Sequence, residues 1–363
     1  MSESMIADSV SRVLSGNVST SLLEKFDKGE FPRELWQLAV DNGFHLVLAT
    51  PDAGGIGADW RAAYPVLRGI GYWQAPLPLA ETAVASLLLS LAGIELPGGP
   101  LVLVESELDG ELRVSDGARP KLDGEARRVS WARHGRWAVI SSPRGIGLVD
   151  LRDAASVSID PFENHARIPA DTVRFADAPL LEMAANPLPD LQHPVRTLGA
   201  IARAAMMVGA LEAILEKAVD HAGNRVQFGR PIGRNQAIQQ QLALLAGDVA
   251  ASRVAALVAA SDAPWVDDRN CRSTAFSAAV AKIRCGEAAT QGCSIAHQVH
   301  GAIGFSYEHS LNFATRRLWA WREEFGADAW WAERLGRAAI AGGSAHFWAD
   351  LTERRTTHEL GAG

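Results

Sequence analysis

Along the first hundred residues apolar side chains recur at helical spacing, as in Leu22, Leu23, Phe26, Leu35, Trp36 and the run Leu38 to Val40. That is the pattern of amphipathic helices that each bury one stripe. Pro32, just after Glu30, marks a helix start, since its fixed φ and missing N–H suit the first turn. The cluster Asp52-Ala53-Gly54-Gly55-Ile56-Gly57 reads as a plain turn, because no strand pattern precedes it and no Lys-Ser/Thr pair follows, as a phosphate cradle requires. From about 99 to 178 the period changes to two. Short β-rich runs (Leu101 to Val104, Leu112 to Val114, Val129 to Trp131, Trp137 to Ile140, Gly147 to Val149, Val157 to Ile159, Thr172 to Phe175) alternate with Gly, Pro, Asp and Ser turns, which predicts a small antiparallel barrel or sandwich. Beyond Pro187-Leu188-Pro189 the helical period returns. Val195, Leu198, Ile201, Met206, Leu211, Leu215 and Val219 form one stripe of a long helix. Asn235 caps a second helix through Ile238, Leu242, Leu245 and Val249. A third runs from about Ser273 to Ala296, and a last set occupies 310 to 350.

Composition narrows the partners. The formal charge is −7 and the pI about 5.8, with lysines and arginines scattered rather than striped, which argues against nucleic acid. No apolar stretch reaches the roughly 18 to 20 residues of a membrane span, and the N-terminus, with Glu3 and Asp8, lacks the order of a secretory signal. The expected location is the cytoplasm, with no membrane association. Cys271, Cys285 and Cys293 have neither CxxC spacing nor an even count, so buried free thiols are expected rather than a disulfide framework or zinc knuckle. His193, His297 and His300 have no second ligand at metal spacing and read as hydrogen-bonded structural residues, with no metal expected. Trp319, Trp321, Trp330 and Trp331 read as helix packing or subunit interface.

Two segments carry chemistry. In Arg225-Val-Gln-Phe228-Gly229-Arg-Pro231-Ile232, followed by Gln236, an arginine and a phenylalanine at the end of a long helical pattern offer a guanidinium fork and an apolar face, suited to a diphosphate joined to a flat ring. In Gln298-Val-His300-Gly301-Ala302-Ile-Gly304-Phe305 an amide side chain precedes a turn of small residues, where backbone can approach a dinucleotide closely. In this order the pair resembles the flavin-binding signatures of the acyl-CoA dehydrogenase family.

That resemblance covers essentially the whole chain, since helical, β and helical thirds follow the family plan. It implies an α+β multidomain fold: an N-terminal helical domain over 1–98, a middle antiparallel β-barrel over 99–185 and a C-terminal four-helix bundle over 186–363. The bundle makes physical sense, because several apolar stripes on long helices are buried when the helices pack side by side. The cofactor implied is FAD. Arg225 would contact its pyrophosphate and Phe228 would pack nearby, while Asn235, Gln236, Gln298, Gly301 and Ala302 would line the adenosine side, gripped across a subunit boundary. The bare alternatives are a helix-end cation for Arg225 and a solvated polar residue for Gln298. The implied partners are an acyl-CoA substrate, an electron-transfer acceptor and an unlike acyl-CoA dehydrogenase subunit in an α2β2 assembly, as in the heteromeric actinobacterial enzymes that oxidise bulky, including steroid-derived, thioesters.

The chain departs from the family in two places. Where relatives hold the isoalloxazine with a Thr-Glu-Pro/Ala-Gly-Ser-like segment, it reads Leu103-Val104-Glu105-Ser106-Glu107-Leu108-Asp109, without a match. Many relatives place the catalytic base about 27 residues after the flavin-binding glutamine, which lands here on Phe325, with Glu324 one residue out of register; a minority use a position that is Gly199 here. No catalytic residue is therefore assigned in this chain. The expected reading is a subunit of a heteromeric FAD-dependent dehydrogenase; its rivals are a self-sufficient enzyme with Glu324 as base and a non-catalytic scaffold.

Overall fold

A computed structural model describes residues 3–306 and 309–355. Five helices come first: α1 (Glu3–Asn17), α2 (Thr20–Asp27), α3 (Arg33–Asp41), α4 (Trp60–Trp73) and α5 (Leu79–Leu91). Pro32 is the N-cap of α3, and the glycine cluster at 54–57 is a loop with Gly54 and Gly57 at positive φ. Eight strands follow: β1 (Leu101–Glu105), β2 (Gly110–Val114), β3 (Lys121–Ser130), β4 (Trp137–Ser142), β5 (Gly145–Asp150), β6 (Val157–Asp160), β7 (Ala170–Pro179) and β8 (Glu182–Ala184). Then come α6 (Pro194–Asn224), a two-residue ladder of β9 (Val226–Gln227) and β10 (Arg230–Pro231), α7 (Gln236–Ser261), α8 (Thr274–His300), α9 (Leu311–Glu323), α10 (Asp328–Gly342) and α11 (Ser344–Glu353).

The order helical, β, helical is as expected, but the middle region is not a closed barrel. Its strands form two four-stranded sheets, β1-β4-β5-β8 and β2-β3-β7-β6, and β1 pairs with β4 in parallel. The reason lies in β1, Leu101-Val-Leu-Val-Glu105, which is buried on both faces as strands covered from both sides are. Helices α5 and α6 pack on it, so helices rather than further strands close that face. Strand β3 is much longer than the expected Val129–Trp131. Its alternation is broken by a bulge between Ala126 and Val129, where Arg128 takes φ 58°, and Trp131 has already left the strand at φ 67°.

In the C-terminal region α6 packs against α7, α8 and α9, and α8 against α7 and α9, which is a four-helix arrangement. Helix α4 crosses α6 at Gly71 and Gly209; a Cβ on either would collide with backbone of the other helix. Two helices correct the sequence expectation about apolar length: α6 and α7 each contain a window of mean hydropathy 1.7 long enough to cross a bilayer. Alanine supplies much of that hydropathy. In α6 89% of the window is inside the protein, which accounts for its composition, whereas in α7 only 28% is. All three cysteines are free and buried, and burial pushes each thiol up to about 12.

Candidate functional site

The two segments expected to bind a dinucleotide meet at one end of the bundle. The rings of His221, in the last turn of α6, and His300, the last residue of α8, stack at 4.5 Å and 27°. Arg225 follows directly on α6, its N–H bonded to the His221 carbonyl at 2.8 Å and its own carbonyl accepting from Ile232 at 2.9 Å. Those bonds set up the β9–β10 ladder, whose two-residue tip is Phe228 at φ 50° and Gly229 at φ 77°. A positive φ is costly for an aromatic residue, and the Phe228 ring is wholly exposed at 102% relative accessibility. Asn235 caps α7 as expected, its Oδ1 accepting from the Ala237 N–H at 3.0 Å, and Gln236 is the exposed first residue of that helix.

On the α8 side Gln298 is exposed, and Gly301 ends the helix at φ 63°, ψ −146°, a conformation open in practice to glycine alone. Ala302, exposed, continues into a short 3-10 turn, Gly301–Phe305. Thus all seven residues proposed for the dinucleotide, Arg225, Phe228, Asn235, Gln236, Gln298, Gly301 and Ala302, lie at the surface of this chain. The histidines behind them are inward-facing. His300 Nδ1 lies 2.7 Å from the Ala296 carbonyl, and burial pushes its pKa down to about 4 against that hydrogen bond. His297 Nε2 meets Thr315 Oγ1 at 3.0 Å while its ring stacks on Phe305. Among the described residues no cluster of three or more His, Cys, Asp or Glu side chains is placed to hold a metal ion.

The segment at the flavin-ring position closes on itself. β1 ends at Glu105, which is buried; its N–H donates to Asp109 Oδ2 at 2.7 Å, and its carboxylate Oε2 accepts the Arg196 N–H of the first turn of α6 at 3.2 Å. Asp109 in turn holds the Arg196 guanidinium at 3.1 Å, and burial raises its pKa against that cation. Glu105 and Asp109 therefore fill the turn with carboxylates whose donors, the Glu105 N–H and the N–H and guanidinium of Arg196, are already committed, and Glu107 adds a third, exposed carboxylate.

The positions open to a base come together as well. Gly199 on α6 and Phe325, in the turn after α9, are in contact, and a Cβ added at Gly199 would lie within the Phe325 ring. Both registers counted from the sequence thus lead to one spot, filled by an aromatic ring at φ 53°. Glu324 beside it is bound elsewhere. Its Oε2 accepts from Arg203 Nε at 2.6 Å and its Oε1 from Asn164 Nδ2 at 3.2 Å. Arg203 is 1% exposed, and its other arm pairs with Glu81, also 1% exposed, on α5. Burial, ahead of the opposing pull of Arg203, raises the Glu81 pKa. Below the turn the buried Lys282 donates to the carbonyls of Trp321, Arg322 and Glu324 at 2.8, 3.1 and 2.8 Å, satisfying the end of α9; burial brings its pKa down to about 7. Trp331 is buried with Nε1 on the Phe325 carbonyl, 3.1 Å away, so it packs the same turn, with Trp330 edge-on.

Sequence reasoning missed the Glu81–Arg203–Glu324 chain and Lys282. The signal was present: each of Glu81, Arg203 and Lys282 interrupts an otherwise apolar run, and charges in such runs are buried only when paired.

A three-part fold of N-terminal helices, paired middle sheets and a C-terminal bundle is the plan of a class of flavin-dependent oxidoreductases. Models of that class match the chain twice, "Acyl-CoA dehydrogenase, N-terminal domain" over residues 2–95 and "Acyl-CoA dehydrogenase, C-terminal domain" over 197–340, together well over half of it. The chain belongs to the acyl-CoA dehydrogenase family, whose members are flavoproteins with FAD as cofactor. It is 27% identical to acyl-CoA dehydrogenase IpdE2 of Mycobacterium tuberculosis over 302 residues, 80% of this chain and 81% of that protein. It is 30% identical to the probable acyl-CoA dehydrogenase YngJ of Bacillus subtilis over 217 residues, 54% of this chain but only 55% of that protein. Among solved structures, one from the ChsE4-ChsE5 complex of Mycobacterium tuberculosis superposes with TM-score 0.80 at 21% identity, covering 94% of this chain and 97% of the other. The Tcur3481-Tcur3483 steroid ACAD superposes with TM-score 0.83 at 24% identity over 94% and 98%.

The residues fit FAD on one side only. Exposed guanidinium, amide donors, a bare ring and a glycine-only turn suit a pyrophosphate and adenosine; the carboxylate-filled β1–β2 turn does not suit an isoalloxazine.

Proposed function

We propose that this chain is the adenosine-gripping, base-lacking subunit of a heteromeric acyl-CoA dehydrogenase. An unlike subunit supplies the ring pocket and the carboxylate that takes the α-proton of the thioester. When bound, FAD supplies the acceptor for the β-hydride. Arg225, Asn235, Gln236 and Gln298 of this chain orient the dinucleotide, and Phe228 covers it. The observation that carries this reading is the meeting of Gly199 with Phe325: both base positions coincide, and neither bears a carboxylate. Glu324, the remaining candidate, already has both carboxylate oxygens engaged, one by buried Arg203 and the other by Asn164.

Two further elements rest on likeness alone. The assembly is α2β2, a reading supported by the ChsE4-ChsE5 and Tcur3481-Tcur3483 structures, each of two named parts; the acyl group is bulky and steroid-derived, in line with the latter being a steroid ACAD. Electrons leave to a separate acceptor, and the complex works in the cytoplasm. The test is flavin content. Purified alone, the chain should hold well under one FAD per chain, and co-expression with its unlike subunit should raise it; full loading of a homo-oligomer rejects the reading.

A further inference from the structure

Where α3, the β3–β4 turn and the β5–β6 turn meet, the fold forms an open cleft of about 510 Å³ that the dinucleotide site does not use. Pro100, at the entry to β1, forms part of its wall, whereas the ring-side turn lies at Glu105, the far end of the same strand. Five strand residues separate the two by about 17 Å.

One wall is aromatic. Phe31 stacks on His134 with centroids 4.7 Å apart and 27° between planes, and both rings lie against buried Trp131 at 6.4 and 6.3 Å. Half-buried Trp36 adds a further ring. The remaining wall is cationic. The Arg133 guanidinium is fixed by fully buried Asp171, with Nε at 2.9 Å and Nη2 at 2.7 Å from Oδ1, and by the Phe162 carbonyl at 2.6 Å. Arg152 donates to the Arg133 carbonyl at 3.1 Å. Among the described residues Arg152 has no carboxylate partner, and the Arg33 side chain has neither a hydrogen bond nor an ion pair. Burial, then Arg133, Arg152 and Arg33, push the His134 imidazole below its ordinary pKa, with Asp171 opposing. On a chain of net charge −7 this corner therefore holds two guanidiniums without counter-charge beside a rigid π surface.

We propose that this cleft binds a phosphate-bearing planar ring, the chemistry of a mononucleotide, with the phosphate on Arg33 and Arg152 and the ring against Trp36 and Phe31. Arginine forks suit phosphate oxygens, and stacked aromatic faces suit a flat base. The floor is preorganised, since Asp171 holds Arg133 and Trp131 holds the Phe31–His134 pair, so ordering costs on binding are small.

The probes are AMP and inorganic phosphate, titrated calorimetrically into the full-length chain. AMP is expected to bind, and the Arg33→Ala/Arg152→Ala variant to weaken it by roughly tenfold or more, because two charge-assisted contacts are lost. Trp36→Ala should weaken it by about threefold, and inorganic phosphate should bind at least about tenfold more weakly than AMP. Both arginines lie at the surface, so the melting temperature of the double variant serves as the folding control. AMP is also the adenosine end of FAD, and Arg225→Ala is therefore the companion variant, expected to leave AMP affinity within about twofold. No binding of AMP at millimolar concentration, or binding unchanged in the double variant, overturns the proposal. Loss in Arg225→Ala instead assigns AMP to the dinucleotide site and also overturns it, and phosphate binding as tightly as AMP removes the ring.

Discussion

The two halves of the proposed flavin site are built on opposite terms. At the bundle end Arg225, Phe228, Asn235, Gln236, Gln298, Gly301 and Ala302 stand in solvent, with a bare aromatic ring at a strained φ. Thirty residues earlier along the same helix Glu105 caps α6, Arg203 binds two carboxylates, Lys282 binds three carbonyls and Phe325 fills the space over Gly199. Exposure without internal partners marks groups that await something outside the chain, whereas mutual satisfaction marks groups that have no work left to do except hold the fold. Isolated charges are costly to bury, so the second region is stable only because every charge found a partner within it.

The largest effect should come from breaking that satisfaction. Arg203→Ala leaves Glu81 buried without its cation, a loss of the kind that costs about 3 to 5 kcal/mol, and chemical denaturation of the chain should show it. Stability within about 1 kcal/mol of wild type would mean that the buried chain is not a keystone. Next comes the exposed half. Arg225→Ala should leave the free chain's stability alone yet weaken flavin retention in the assembled complex by well over tenfold, since a desolvated phosphate contact contributes on the order of 2 to 5 kcal/mol. Arg253→Ala on α7, 4.0 Å from Glu212 and outside the motif, is the control and should retain flavin. Equal flavin content in the two variants would reduce Arg225 to a helix-end cation.

A smaller effect follows pH. In the unfolded chain Lys282 titrates at its ordinary value of 10.5, and in the folded chain at about 7, so between those values the unfolded state binds the extra proton. Raising pH from about 7 to about 9 should therefore stabilise the protein, by at most about 1.4 kcal/mol per unit, the ceiling for one proton. Denaturation midpoints at the two pH values should converge in Lys282→Met; an unchanged slope in that variant would mean that the lysine stays charged when folded. The smallest effect is expected at Glu324. Glu324→Gln should keep turnover of the complex within about threefold, whereas loss of a general base costs about 10²- to 10⁴-fold. Steady-state rates with an acyl-CoA and an artificial acceptor separate the two, and a hundredfold fall at constant flavin content would make this chain a self-sufficient dehydrogenase.

How much of this was legible in the sequence follows from how local each cause is. The caps at Pro32 and Asn235 and the stripe of α6 are set by residues within a turn or two of each other, and the chain shows them directly. Strand β3 was hidden because its bulge breaks the alternation, and the split into two sheets depends on helices far away in sequence covering β1. That neither of the two expected base positions carries a carboxylate could be counted, but not that the two positions are one place; that takes α6 folded against the turn after α9. In the sequence Glu324 stands only one residue out of register, and the packing of Arg203 between α5 and that turn shows what holds it.

The contact between Gly199 and Phe325 also bears on how such a chain could change. A glutamate at 199 has no room while the ring is there, and removing the ring alone leaves a hole over a glycine, at a cost below the roughly 3 to 5 kcal/mol of a fully buried phenylalanine because Phe325 is half-buried. Each single step toward a base at 199 is therefore harmful, and only the pair is productive. This is a valley of sign epistasis between neighbours in space that the chain separates widely. A lineage that has crossed into the glycine–phenylalanine arrangement is held there by packing, whatever selection asks of its chemistry.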